Sequence, residues 1–142
     1  TETGSTCGIS NRVTQTIQST PTPTPAPTPP PVADPVLIGL NPNVAGQNNS
    51  ITVTGATPGS TVFFNYSLNT GTSIISGGAC NGQSLGLNNS ILLRSIVANG
   101  SGTAVFNISV PAGFVGRTVH LQAYTETGST CGISNRVTQT IQ

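Results

Sequence analysis

The first eighteen residues, TETGSTCGISNRVTQTIQ at positions 1–18, reappear without a change at positions 125–142. The offset between the copies is 124 residues. An identity of that length has no chance origin. It constrains architecture before any local pattern does, because equal sequences carry equal folding propensities and equal surfaces to bury. The favoured reading is a window onto a tandem array with a period of 124 residues, opened near the end of one repeat and closed near the end of the next. The plainer reading is a duplicated tail within one small protein. Complete identity indicates recent or homogenised duplication and matching structural surroundings for both copies.

The cysteines bear on this choice. Cys7 and Cys131 occupy equivalent positions of the repeat, and Cys80 stands between them. One period therefore holds two cysteines, and Cys80 with Cys131 is expected to form a disulfide within a module. Cys7 is then expected to bridge to the Cys80-equivalent of the preceding repeat, so the odd count calls for no reactive thiol. The other reading of these residues is three buried free thiols. A disulfide implies an oxidising compartment.

Residues 19–35, STPTPTPAPTPPPVADP, hold eight prolines in 17 positions. Proline lacks the amide donor and fixes φ, so neither a helix nor a central strand can form there. An extended polyproline linker is expected, with a reach of roughly 50 Å at ~3.1 Å per residue. Thr20, Thr22, Thr24 and Thr28 each precede a proline, which is the composition of O-glycosylated stalks. A proline-rich ligand for a signalling module is the rival reading, set aside because such ligands need flanking charge and a cytoplasmic partner.

The folded unit is expected over residues 36–142. Strand-like runs separated by turn residues occur at Val36–Leu40, Ser50–Gly55, Thr61–Ser67, Thr72–Ile75, Ile91–Ala98, Thr103–Val110, Thr118–Tyr124 and Ile133–Ile141. No segment carries a 3.6-residue apolar period of helix length. An all-β, antiparallel β-sandwich follows. Thr57-Pro58-Gly59 and Pro111-Ala112-Gly113 read as turns, and Asn99-Gly100-Ser101-Gly102 reads as a hairpin. The expected core is Ile51, Val53, Val62, Phe64, Ile96, Val105, Ile108, Val110, Val119, Leu121 and Ala123. Either Val105 or Phe106 must face outward, because alternation breaks there. The expected disulfide would tie the glycine-rich connection 76–90 to the start of the last strand.

Composition removes several function classes. Only 5% of the 142 residues are charged, lysine is absent, and the formal net charge is +1. A nucleic-acid binder needs a basic footprint, and a polybasic membrane anchor needs a basic cluster; neither exists. Apolar runs reach about five residues, far below the ~20 a membrane-spanning helix requires. Threonine, serine and asparagine supply the polar surface instead, which suits a secreted or cell-surface chain.

The stretch Asn43–Gly55 (NVAGQNNSITVTG) followed by Ala56–Val62 (ATPGSTV) resembles the opening of immunoglobulin-like sandwich modules in secreted bacterial surface proteins. Ala79-Cys80 with Leu85-Gly86, the run Gly102–Val110, the run Gly116–Ala123, Cys131 and Ser134-Asn135 are similar to extracellular proteins of environmental bacteria such as myxobacteria and planctomycetes. The resemblance spans residues 36–142 and implies a structural module rather than a reaction. No tryptophan lies between the cysteines, and their placement is not that of antibody domains, so the likeness is to the broad immunoglobulin-like class.

Catalytic chemistry finds few parts. His120, the only histidine, sits in a Val-His-Leu-Gln alternation and is expected on a sheet surface opposite Val119 and Leu121. Zinc needs three or four convergent ligands, and a serine triad needs an acid in reach of histidine, for which Glu126 is the one acid of the folded unit. Paired carboxylates and acidic calcium loops are lacking. No enzyme activity, no metal and no cofactor are expected. Five Asn-X-Ser sequons stand at Asn48, Asn65, Asn88, Asn99 and Asn107. Tyr66 and Tyr124 are candidates for a sugar-binding face.

The expected function is a structural building block of an extracellular filament, stalk or sheath, with neighbouring copies of the repeat as partners. They would join covalently in tandem, or by insertion of an extended segment into a neighbour's open sheet edge. The alternative is a surface adhesin or carbohydrate-binding module, with glycans as partners.

Overall fold

The computed structural model describes residues 34–142. The segments 1–18 and 19–33, with Cys7 and the four linker threonines, lie outside the described residues. Ten strands follow one another: β1 Val36–Asn41, β2 Asn48–Thr54, β3 Thr61–Ser67, β4 Thr70–Ile74, β5 Ser84–Leu87, β6 Ile91–Val97, β7 Ala104–Ser109, β8 Thr118–Thr127, β9 Thr130–Ile133 and β10 Val137–Thr140. A three-residue 3-10 turn at Ala112–Phe114 precedes β8. The domain is all-β, its sheets are antiparallel, and it holds one disulfide.

The strands form a three-stranded sheet in the order β1-β2-β7, a five-stranded sheet in the order β10-β8-β3-β6 with β9 added to β8, and the two-stranded β4-β5. Period-two alternation selects the inner residues. In β2, Ile51 and Val53 are buried while Thr52 and Thr54 are half-buried. In β3 and β8, Val62 and Phe64 face the same core as Val119, Leu121 and Ala123. Residues of the three- and five-stranded sheets meet in that one core, with Phe64 and Phe106 ring centroids 5.8 Å apart.

The opposite face of β8 is covered as well. Ile75, Cys80, Leu85 and Leu87 form a second apolar cluster, against which Tyr124, Cys131 and Ile133 pack. Phe63 and Tyr124, cross-strand partners in the β3–β8 register, stack at 4.6 Å. The connection 76–90 is therefore not the featureless loop its glycines suggest. It contains β5, whose Leu85 and Leu87 face the sheet.

Three expectations need correction. Val105 is not a core residue; it is 45% exposed, and Phe106 takes the inner position. Asn99–Gly102 does not make a hairpin, because β6 pairs with β3 and β7 pairs with β2. Instead it carries the chain from one sheet to the other. Asn99 Oδ1 accepts from the amides of Ser101 and Thr103, and Gly102, at φ +75°, packs against the Ala56 carbonyl, leaving no room for a Cβ. The closing run Ile133–Ile141 is not one strand. β9 turns back on β8, and the chain then steps through Ser134, Asn135 and Arg136 before β10 starts.

Candidate functional site

The repeated block 125–142 is a closing segment, and its own side chains fasten it. It opens in the last residues of β8. There Glu126 Oε1 accepts from the Cys80 amide at 3.0 Å, and the sulfur of Cys80 lies 3.4 Å from the Thr125 carbonyl. Cys131, on β9, is bonded to Cys80, with Cα atoms 4.9 Å apart. That bridge joins the connection between β4 and β5 to the closing segment, across 51 residues of chain. Cys80 is fully buried and Cys131 half-buried.

Beyond β9 the segment turns inward at Ser134. Its hydroxyl accepts from the Ala123 amide at 2.8 Å and donates to the Asn135 carbonyl at 2.8 Å. Gln122, 8% exposed, donates from Nε2 to the Ser134 carbonyl at 2.9 Å and accepts at Oε1 from the Gly86 amide at 2.7 Å. Arg136 donates to the Gly86 carbonyl at 3.0 Å. One polar chain thus links β5, β8 and the closing segment.

The seam between β1 and the closing segment is built differently. Asn135 Oδ1 accepts from the Leu37 amide at 2.8 Å, and its Nδ2 donates to the Leu37 carbonyl at 3.2 Å. Gln139 repeats the pattern on Leu40, at 2.6 and 3.1 Å. Each primary amide serves as a surrogate peptide group, saturating the donor and acceptor of one β1 residue that would otherwise stand on a bare sheet edge. Gly39 makes room for this: a Cβ there would meet Gln139 Oε1 and lie 2.8 Å from Val137 Cγ1. Past Gln139 true backbone pairing takes over, with the Gln142 amide on the Asn43 carbonyl at 3.1 Å and the Ala45 amide on the Gln142 carbonyl at 2.8 Å. The partners advance in the same direction along both segments, Leu37 with Asn135, Leu40 with Gln139 and Asn43 with Gln142, so β1 and β10 run parallel. The chain begins β1 beside Gly132 and ends at Gln142 beside Asn43, at opposite poles of the domain.

His120 faces out of the sheet with Nδ1 2.8 Å from Thr138 Oγ1, far from Glu126, whose carboxylate holds Cys80. Among the described residues no three His, Cys, Asp or Glu side chains gather at a possible metal site. Tyr66 packs against the main core and Tyr124 against the second cluster, so the two tyrosines occupy opposite faces of one sheet and form no shared platform. Burial raises the Tyr124 hydroxyl above the usual tyrosine value, and the Glu126 carboxylate adds to the shift. An apolar cleft of about 270 Å³ is lined by Leu40, Tyr66, Leu93, Ile108, Phe114 and Ile141 among others. Among the described residues no helix is long and apolar enough to cross a membrane.

The sequons separate by position. Asn65 is 5% exposed, with Nδ2 on the Phe63 carbonyl, while Asn48, Asn88, Asn99 and Asn107 are exposed. Sequence reasoning missed Asn49, Asn135 and Gln139 as backbone partners. Against a background rich in asparagine and glutamine nothing marked them.

No protein-family model, no curated protein and no solved structure matches this chain.

Proposed function

We propose that the chain is a structural building block of an extracellular filament, stalk or sheath, composed of tandem 124-residue repeats. Each repeat is an immunoglobulin-like β-sandwich module joined to the next by a Pro/Thr-rich linker. The sandwich reading rests on the sheets β1-β2-β7 and β10-β8-β3-β6 sharing one core. The observation that carries the function is the make-up of the closing segment. Glu126, Cys131, Ser134, Asn135, Arg136 and Gln139 supply its fastenings, and all six lie inside the duplicated eighteen residues. Residues 1–18 carry the same set, from Glu2 and Cys7 to Asn11 and Gln15, and are equipped to close a preceding module in the same way. The pole-to-pole path of the chain suits a head-to-tail array.

The adhesin or carbohydrate-binding alternative has less support, because its two tyrosines lie on opposite faces of the sheet. Denaturing electrophoresis after full reduction separates the tandem array from a polymer of short chains. A ladder or one very large species is expected. A sole band near 14.3 kDa, with no proteolysis, overturns the array. Peptide mapping under non-reducing conditions is expected to bridge Cys7 to the Cys80-equivalent of the repeat before it. The released linker peptide is expected to carry sugar, with Thr22 and Thr24 the leading positions, and an unmodified mass removes that part.

A further inference from the structure

The outward face of the β1-β2-β7 sheet holds two features that the closing seam does not use. The first is exposed apolar surface. Register places Ile38, Thr52 and Val105 in one row across the three strands, and Ile38 and Val105 are 51% and 45% exposed. Val36, also 51% exposed, stands two residues from Ile38 on the same face. The second is a pair of sequons. Asn107 lies in the next row, opposite Ser50, and Asn48 lies one row further, opposite Ser109. Both are exposed and belong to regular strands that point them away from the core.

The other three sequons are placed otherwise. Asn65 is buried in β3, opposite Gln122 of β8. Asn99 spends its carbonyl oxygen on the turn to Thr103. Asn88 stands at the β5–β6 turn, away from this sheet.

We infer that Asn107, with Asn48 beside it, is an N-glycosylation site whose oligosaccharide lies across the Ile38–Thr52–Val105 row. In the reaction the Asn Nδ2 bonds to the anomeric carbon of a diphosphate-activated oligosaccharide donor. The bond from that carbon to the diphosphate oxygen breaks, the lipid diphosphate leaves with the electron pair, and the amide loses a proton. The first sugar then stands about 7 Å along β7 from Val105, two residues at ~3.4 Å each. Sugar rings present C–H faces as well as hydroxyls, so they cover isolated Val and Ile side chains while keeping an outer surface in water. A second copy of the domain is a poorer occupant. Three apolar side chains interleaved with threonine make a patch well short of the ~1,000 Å² a specific protein interface needs, and sugars at two asparagines of the face would hold a flat partner off.

The inference rests on the extracellular reading above. Its test uses material recovered outside the producing cells. Mass spectrometry of its peptides is expected to find glycan on Asn107 and Asn48 and none on Asn65. The N48Q/N107Q variant from the same host is expected to bind a hydrophobic fluorescent probe several-fold more strongly, and adding Ile38→Thr and Val105→Thr is expected to return that signal to the starting level. Unmodified Asn107, or probe binding that does not change, overturns the inference, as does protection of an unglycosylated face by a second copy. Those outcomes leave the tandem array standing. A glycosylated single chain whose polypeptide part is 14.3 kDa would do the reverse.

Discussion

Asn49 has no exposed surface, and every polar atom of its side chain is engaged. Its Oδ1 accepts from the amides of Asn43 and Val44 at 2.6 and 3.0 Å, and its Nδ2 donates to the carbonyls of Val44 and Gln47 at 2.8 and 3.0 Å. One amide thereby holds the whole β1–β2 connection. Asn49→Ala is expected to cost about 2–4 kcal/mol, because it strands several backbone groups at once; urea denaturation reads this as a lower midpoint with an unchanged slope. Asn135→Ala and Gln139→Ala are each expected to cost about 1–2 kcal/mol by the same reasoning. Little of this was legible in the sequence. A buried amide and a surface amide are the same letter, and only a folded backbone says which carbonyl lies opposite. By contrast Cys80 and Cys131 could be paired from spacing, because the repeat removed Cys7 from the count.

Among elements, regular strands with alternating apolar residues were readable, as β2, β3 and β8 show. β5 was not, since Ser-Leu-Gly-Leu is too short to display a period and lies among glycines. The hairpin expected at Asn99–Gly102 failed for another reason. Turn chemistry fixes a reversal of direction, but it does not fix which sheet receives the next strand. The second cluster, formed largely by β5 and the closing segment, is where the disulfide acts. Loop-closure entropy over a loop of this size is worth about 4 kcal/mol, so the Cys80→Ala/Cys131→Ala variant is expected to lose close to that amount, measured by calorimetry or urea. The same cluster sets an alkaline limit. Tyr124 keeps its proton to higher pH when folded than when unfolded, because burial first and Glu126 second disfavour the anion. Its contribution is complete below the ordinary value of 10.0 and declines as pH rises through the raised one. Urea midpoints are expected to fall as pH rises above 10.0, and less so in Tyr124→Phe. An equal fall in both proteins would count against this assignment.

At the scale of the whole molecule, the parallel run of β1 beside β10 has a mechanical meaning. Tension applied at Asp34 and at Gln142 pulls along the axes of both strands in opposite senses. The paired contacts of Asn135 with Leu37, of Gln139 with Leu40 and of Gln142 with Asn43 and Ala45 are then loaded side by side, in shear. Bonds loaded that way must give together, whereas a hairpin pulled open from one end gives them up singly. In a single-molecule stretch of linked modules, replacing both Asn135 and Gln139 by alanine is expected to lower the rupture force clearly while leaving the length released per module unchanged. The Cys80–Cys131 bond sets a second limit, since the chain between those residues is withheld from extension until the bond is reduced. A domain fastened in this manner behaves as a rope splice, whose two ends grip along their length, and whose slack is kept in reserve behind a knot that only a change of redox conditions unties.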